Sequence, residues 1–259
     1  MPLTGPEVLL YRKEGPIAYI TLNRPERLNA LSPELEDRLA ETWVDFREDP
    51  NLRVAIVNGA GDRAFCSGVD LRIMAETKGA SRARGVPYLP GEGGVEVWKP
   101  IIAAIHGICY AGGWMLVQHC DIRIASDDAQ FGIMEAKRNL GASWSAELTK
   151  MIPLGAVLEL LLTAQPISAQ RAYDIGFVNR IVPRDQLLPA ARQLAEAICE
   201  NAPMAVRFMK EYVYRGLDLT RDQAKLLGRY ITAPLPKSED AEEGRRAFVE
   251  KRKPAWKGR

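Results

Sequence analysis

Residues 107–121 read GICYAGGWMLVQHCD. The first half is crowded with small residues and ends in Gly112-Gly113. The second half is apolar and helical in spacing. Just before it, residues 101–107 (IIAAIHG) form an apolar run of strand length. Strand, glycine turn and helix in that order predict an α/β fold with buried strands. A helix N-terminus offers unpaired N–H groups to negative charge. This turn has no Lys to hold a phosphate, and Trp114 and Met115 leave its helix without an acid in the first turn.

A second turn has the same build. AFCSGVDL (64–71) follows RVAIVNG (53–59), another buried strand by composition. Two small-residue turns can each expose a backbone N–H. Two such donors converging on one point make an oxyanion hole. Small residues let the oxygen approach the backbone closely.

Outward from these turns, residues 7–13 and 16–22 read as a hairpin around Glu14-Gly15. Ser32 is placed to cap a helix with Pro33 at its first position and Glu34 and Glu36 in its first turn. That helix is expected to run to Glu48 with Leu35, Leu39, Trp43 and Phe46 on one face. Residues 72–97 show no period and are read as a loop bordering the site. Residues 121–126 are read as a strand, and from about Ser145 the chain is read as mostly helical. Ser168 and Gly176 bracket one short helix. Helices are expected over 186–200, 203–215, 219–231 and 239–252.

Composition narrows the function. The chain has 259 residues, 47% of them hydrophobic, which suits one well-cored domain or one domain with an appendage. The 35 basic and 33 acidic residues nearly cancel. This argues against a nucleic-acid binder, which presents a one-sided basic surface. Cys66, Cys109, Cys120 and Cys199 form no CxxC pair and read as reduced thiols. The start, MPLTGPEVLLYRKEG, lacks a basic and then apolar leader, and no apolar run is long enough to span a bilayer. A cytoplasmic location is the expectation, with no membrane partner.

Three familiar motifs fail on context. GAGDRA (59–64) matches the dinucleotide fingerprint G-x-G-x-x-A, but no second strand ending in an acid follows. GASWS (141–145) approaches a nucleophile elbow, yet both histidines, His106 and His119, precede Ser143. Two histidines without a cysteine pair make a poor metal site, so no metal is expected and both are read as structural.

The stretches ITLNRPERLNALS (20–32), RAFCSGVDL (63–71), KPIIAAIHGICYAGGWML (99–116), CDIRIASDDAQFG (120–132), LTAQPISAQRAYDIGFVNRIV (162–182) and AFVEKRKPAW (247–256) occur in an order and spacing that resemble the enoyl-CoA hydratase/isomerase (crotonase) family over nearly the whole chain. The resemblance implies a crotonase-type spiral of ββα units. It implies a core over 1–195 carrying the CoA and oxyanion sites, and a helical trimerisation region over 196–259. A homotrimer, paired into a dimer of trimers, is the implied assembly.

The resemblance also implies roles. The substrate would be an acyl-CoA thioester, with coenzyme A arriving as part of it and no permanently bound cofactor. The backbone N–H groups of Val69 and Gly112 would hold the thioester oxygen. Arg27 would meet a CoA phosphate, and the backbone of Leu28, Ala30, Ala64 and Ser67 would border the nucleotide. Lys251 matches a basic residue used near the phosphates, often across a subunit boundary. Asp70 is expected to cap the helix after its own turn. Hydratases of the family carry two glutamates. Glu135 matches one, and Met115 stands where the other is expected. Trp114, Met115 and Trp144 would shape the acyl pocket. A lone carboxylate suits a 1,3-proton shift, so double-bond isomerisation ranks slightly ahead of hydration or dehydration. Hydrolysis or decarboxylation on the same fold, and a non-catalytic CoA-binding protein, come after. Glu92 and Glu96 are the other acids considered as replacements for Met115.

Overall fold

The computed structural model describes residues 7–77, 88–91 and 93–259. Near-continuous apolar runs build its larger sheet. Strands β1 (Leu9–Glu14), β2 (Ile17–Leu22), β3 (Val54–Gly59), β5 (Ile101–Ile105), β7 (Ile122–Ser126) and β10 (Arg180–Val182) lie side by side in the order β1-β2-β3-β5-β7-β10. β1 and β2 form the antiparallel hairpin around Gly15, and every later pairing in this sheet is parallel. Parallel strands covered on both faces have no solvent side, hence their uninterrupted Ile, Val and Ala.

The smaller sheet holds β4 (Ala64–Cys66), β6 (Ile108–Tyr110), β8 (Gln130–Gly132) and β9 (Ile167–Ser168), in the order β4-β6-β8-β9. Thus β3/β4, β5/β6 and β7/β8 each give one strand to each sheet, and the chain spirals. Helices α2 (Leu71–Glu76) and α3 (Gly112–Gln118) follow the first two pairs directly. This is the expected ββα spiral. Two details differ from the sequence reading. The glycine turn does not pass straight from β5 to α3, because β6 intervenes. The 72–97 stretch, read as a loop, begins as helix α2, which the Asp70 side chain caps as expected, and residues 78–87 and 92 of it lie outside the described residues. Three- and six-residue elements are too short to show a period.

Helix α1 (Pro33–Glu48) is capped by the Ser32 hydroxyl and closes one side of the core with Leu35, Leu39, Trp43 and Phe46, all fully buried. Burying each such side chain contributes about 1.5–3 kcal/mol. Helix α6 (Leu187–Cys199) covers the other side of the large sheet through Leu187, Ala191 and Ala195, and it runs unbroken across residues 195 and 196. Residues 143–150, where the chain is expected to turn mostly helical from about Ser145, form a 3-10 helix. Helices α4 (Leu154–Thr163) and α5 (Ala169–Asp174) follow. Helices α7 (Pro203–Gly216) and α8 (Arg221–Thr232) pack on each other with no buried residue of their own, leaving Met209, Val213, Leu226 and Tyr230 exposed. Helix α9 (Glu239–Glu250) ends the helical region.

Candidate active site

The two glycine turns meet. β4 and β6 are parallel neighbours, so the turns that follow them emerge side by side. A β-carbon built on Gly68 (φ +99°) would stand 2.9 Å from the Ala111 β-carbon and 3.3 Å from the Gly112 nitrogen. One built on Gly113 would stand 2.4 Å from the Cys66 carbonyl oxygen. Glycine is required at both positions because backbone packs on backbone. Ala111, at φ 51° and ψ −117°, holds a conformation that costs a non-glycine residue about 1–3 kcal/mol. Its N–H donates to Gly132 O at 2.8 Å, which fixes the strained turn to β8. Among the described residues, no backbone carbonyl takes the N–H of Val69 or of Gly112. A thioester oxygen seated between them would find two donors.

The loop before α1 braces the first turn. Ser67 N–H donates to Leu28 O at 3.0 Å, Leu31 N–H to Gly68 O at 2.8 Å, and Asp70 N–H to Leu31 O at 2.8 Å. Leu28 and Asn29 are both left-handed (φ 53° and 51°). Asn29 holds this bend by donating from Nδ2 to Ala60 O and Ala64 O while its Oδ1 accepts from Arg24 N–H. Arg24 pairs with Asp70 at 2.9 Å, and both side chains are mostly buried. Burial opposes ionisation of Asp70, but the Arg24 hydrogen bond and charge, with backbone amides, outweigh it and hold the carboxyl below the usual range.

A cavity of about 930 Å³ opens beside these amides. Val69, Gly112, Met115, Glu135 and Trp144 all line it, as do Arg27, Leu28, Ala30 and Ser67. Glu135 sits on a 3-10 turn (Glu135–Arg138) after β8 and is 6% exposed. Its Oε1 accepts from the Trp144 indole Nε1 at 3.3 Å. A buried carboxylate that shares a cavity with two backbone N–H groups no described carbonyl takes would, with a thioester oxygen held by those groups, be equipped to move a proton at the carbon next to the thioester.

Three expected site residues lie elsewhere. Trp114 does not line the cavity. It is fully buried against Phe131 and Phe177, with ring centroids 5.8 and 4.6 Å away. Successive helical residues point about 100° apart, so Met115 faces the cavity while its neighbour faces the core. Ala64 is also buried off the cavity, with its carbonyl taken by Asn29. Lys251 caps the C-terminus of α9 in a left-handed conformation, beyond the cavity of its own chain and beside the 85% exposed Phe248. Of the alternative acids, Glu96 pairs with Arg215 at 2.9 Å, and Glu92 lies outside the described residues.

The sequence reading gave no site role to several polar residues that line the cavity, His119 and Glu147 among them. His119 lines the wall, its Nδ1 bonded to Met115 O at 2.8 Å. A carbonyl only accepts, so Nδ1 carries the proton. Glu147 lines it too, one turn after Trp144 on the 3-10 helix. His106, by contrast, is buried and does not line the cavity; burial, with the nearby Arg184 charge, pushes its pKa down to about 4.

The sequence profile of the enoyl-CoA hydratase/isomerase family matches residues 12–259. The chain is 39% identical to an (E)-benzylidenesuccinyl-CoA hydratase from Thauera aromatica over 248 residues, covering 93% of this chain and 96% of that protein. It is 37% identical to a carnitinyl-CoA dehydratase from Citrobacter koseri, covering 98% and 99% of the two chains. Among solved structures, an enoyl-CoA hydratase/isomerase from Mycobacterium paratuberculosis superposes with a TM-score of 0.90 at 34% identity, covering 98% of this chain and 99% of that one. The chain belongs to the enoyl-CoA hydratase/isomerase family, and with it to the enzymes that act on acyl-CoA thioesters. Among the described residues, no helix is long and apolar enough to cross a membrane.

Proposed function

We propose that the protein adds water reversibly across the double bond of a 2-enoyl-CoA. Glu135 exchanges the proton at C2, and the amides of Val69 and Gly112 hold the enolate oxygen. The observation that carries this reading is the sharing of one cavity by the two amides and the buried Glu135. Hydration is favoured over the double-bond shift by the relatives, which are named a hydratase and a dehydratase. The double-bond shift is the second reading. It rests on Met115, which cannot exchange a proton and stands where a second acid is expected.

In this proposal Arg27, Leu28, Ala30 and Ser67 receive the CoA moiety, and Ala64 supports that wall through its hydrogen bond with Asn29. Lys251 reaches CoA from a neighbouring subunit of a homotrimer, or of a dimer of trimers. The exposed apolar side chains of α7 and α8 supply that contact. The core and trimerisation regions then divide at the break before α7, since α6 belongs with the sheet.

The test is incubation with a 2-enoyl-CoA and, separately, a 3-enoyl-CoA, in D2O, followed by mass spectrometry. Gain of one water by the 2-enoyl thioester is the expected result. Conversion of the 3-enoyl to the 2-enoyl thioester with no adduct from either would replace hydration by isomerisation. Retained CoA binding with no change in any acyl group would reduce the chain to a binding protein.

A further inference from the structure

We propose that Glu147 is the second carboxylate of this site, holding and deprotonating the attacking water that a side chain at position 115 cannot hold. This rests on the hydration reading above. Residues 143–150 form a 3-10 helix, in which residues three apart stand one above the other. Trp144 and Glu147 are such a pair, and both line the cavity with Glu135 and Met115.

Glu147 is tied in place from α3. Gln118 lies three residues after Met115 on α3, one turn further along, and is 1% exposed. Its Nε2 donates to Glu147 Oε2 at 3.3 Å and to the Trp144 carbonyl oxygen at 3.3 Å. Both partners only accept, so the amide has one allowed orientation, with its NH₂ toward the carboxylate. Trp144 in turn donates from its indole to Glu135 Oε1. One buried amide and one indole thus link two carboxylates that line a single cavity. Without Gln118 an exposed glutamate would gain rotamer freedom by swinging into solvent. The position lost on α3 at Met115 is met from the facing 3-10 helix, and α3 contributes the clamp.

The chemistry balances. The water oxygen bonds to C3 as the Glu147 carboxylate takes one water proton. The C2=C3 electron pair moves toward the thioester oxygen, held by the Val69 and Gly112 amides. The resulting enolate collapses and C2 takes a proton from protonated Glu135. One water is added, Glu147 ends protonated and Glu135 ionised. Glu147 is exposed, so the proton returns to Glu135 through solvent.

The experiment uses the full-length enzyme with a 2-enoyl-CoA that it hydrates. Glu147→Gln is expected to lower kcat for hydration by about 10²-fold or more with KM nearly unchanged, the range for losing one general base. Exchange of the C2 protons of a saturated acyl-CoA with D2O needs only Glu135 and the amides, and is expected to continue at the wild-type rate. Adding Met115→Glu to Glu147→Gln is expected to recover at least about tenfold of the lost rate, within the span that a restored base supplies. Gln118→Leu is expected to act in the same direction more weakly, and Met115→Glu is expected to recover that variant too. A lost packing contact would not be recovered this way. Hydration by Glu147→Gln at the wild-type rate overturns the assignment of Glu147 and leaves the hydration reading standing. Wild-type enzyme that exchanges C2 protons but hydrates nothing overturns both.

Discussion

Trp114 and Trp144 carry the same side chain in two different settings. Trp114 packs between Phe131 and Phe177 in a dry core, and its indole N–H has no acceptor among the described residues. Trp144 stands on the cavity wall and spends its indole N–H on Glu135. The first setting uses the ring as volume. The second uses it as a hydrogen-bond donor with an apolar body. Nearness to a site residue along the chain does not decide which setting applies: Trp114 adjoins Met115 and misses the cavity, while Trp144 lies far along the chain from Met115 and reaches it.

The sharpest way to break that contrast is to remove what Trp144 touches. Glu135→Gln is expected to lower kcat/KM by about 10³-fold, roughly 4 kcal/mol of barrier, with the melting temperature little changed. Steady-state kinetics beside thermal unfolding checks it, and residual turnover near the wild-type level would remove Glu135 from the chemistry. Trp114→Ala should do the reverse. It is expected to cost about 3–5 kcal/mol of stability, as large-to-small core changes do, while the fraction that folds retains its kcat/KM within a few fold. Denaturant unfolding with activity per folded molecule separates the two. A large rate loss in the folded fraction would mean that Trp114 shapes the acyl pocket after all.

The same contrast explains what was legible in the sequence. Helix α1 announced itself through Ser32, Pro33 and the spacing of Leu35, Leu39, Trp43 and Phe46, because cap and period are local features. The two glycine turns were legible because a close backbone approach permits only glycine at positions 68 and 113. Glu147 and Gln118 were not legible. Their link crosses from a 3-10 helix to α3, and a period of three that aligns Trp144 with Glu147 does not show in so short a stretch read only as helical from about Ser145. Arg24 and Asn29 were missed as braces for a related reason. Their partners, Asp70, Ala60 and Ala64, come together only after the parallel sheet has formed.

A smaller effect tests the brace. Asp70 has a folded-state pKa below its unfolded value, so its contribution is fully present above about pH 4 and is lost as pH falls through the folded value. Asp70→Asn is expected to lower stability at neutral pH by about 1–2 kcal/mol, less than for a fully buried pair because solvent still reaches this one. The difference from wild type should shrink as both are acidified. Urea unfolding at several pH values checks this, and a constant difference at every pH would show that the charge on Asp70 contributes nothing.

The smallest effect returns to the two tryptophans with a gentler substitution. Phenylalanine keeps an aromatic body and removes the N–H from either site. At position 144 the lost group is a 3.3 Å hydrogen bond to Glu135 on a wall that solvent partly reaches. Such a bond is worth about 1 kcal/mol, so kcat/KM should fall roughly fivefold with little change in stability. At position 114 the lost group is a buried donor with no acceptor among the described residues, and its removal offsets part of the cost of the smaller ring. Trp114→Phe should therefore cost less stability than Trp114→Ala and leave kcat/KM in place. If Trp114→Phe slowed the enzyme more than Trp144→Phe, the division between a packing tryptophan and a site tryptophan would be wrong, and α3 would be passing strain from the core to the amide of Gly112.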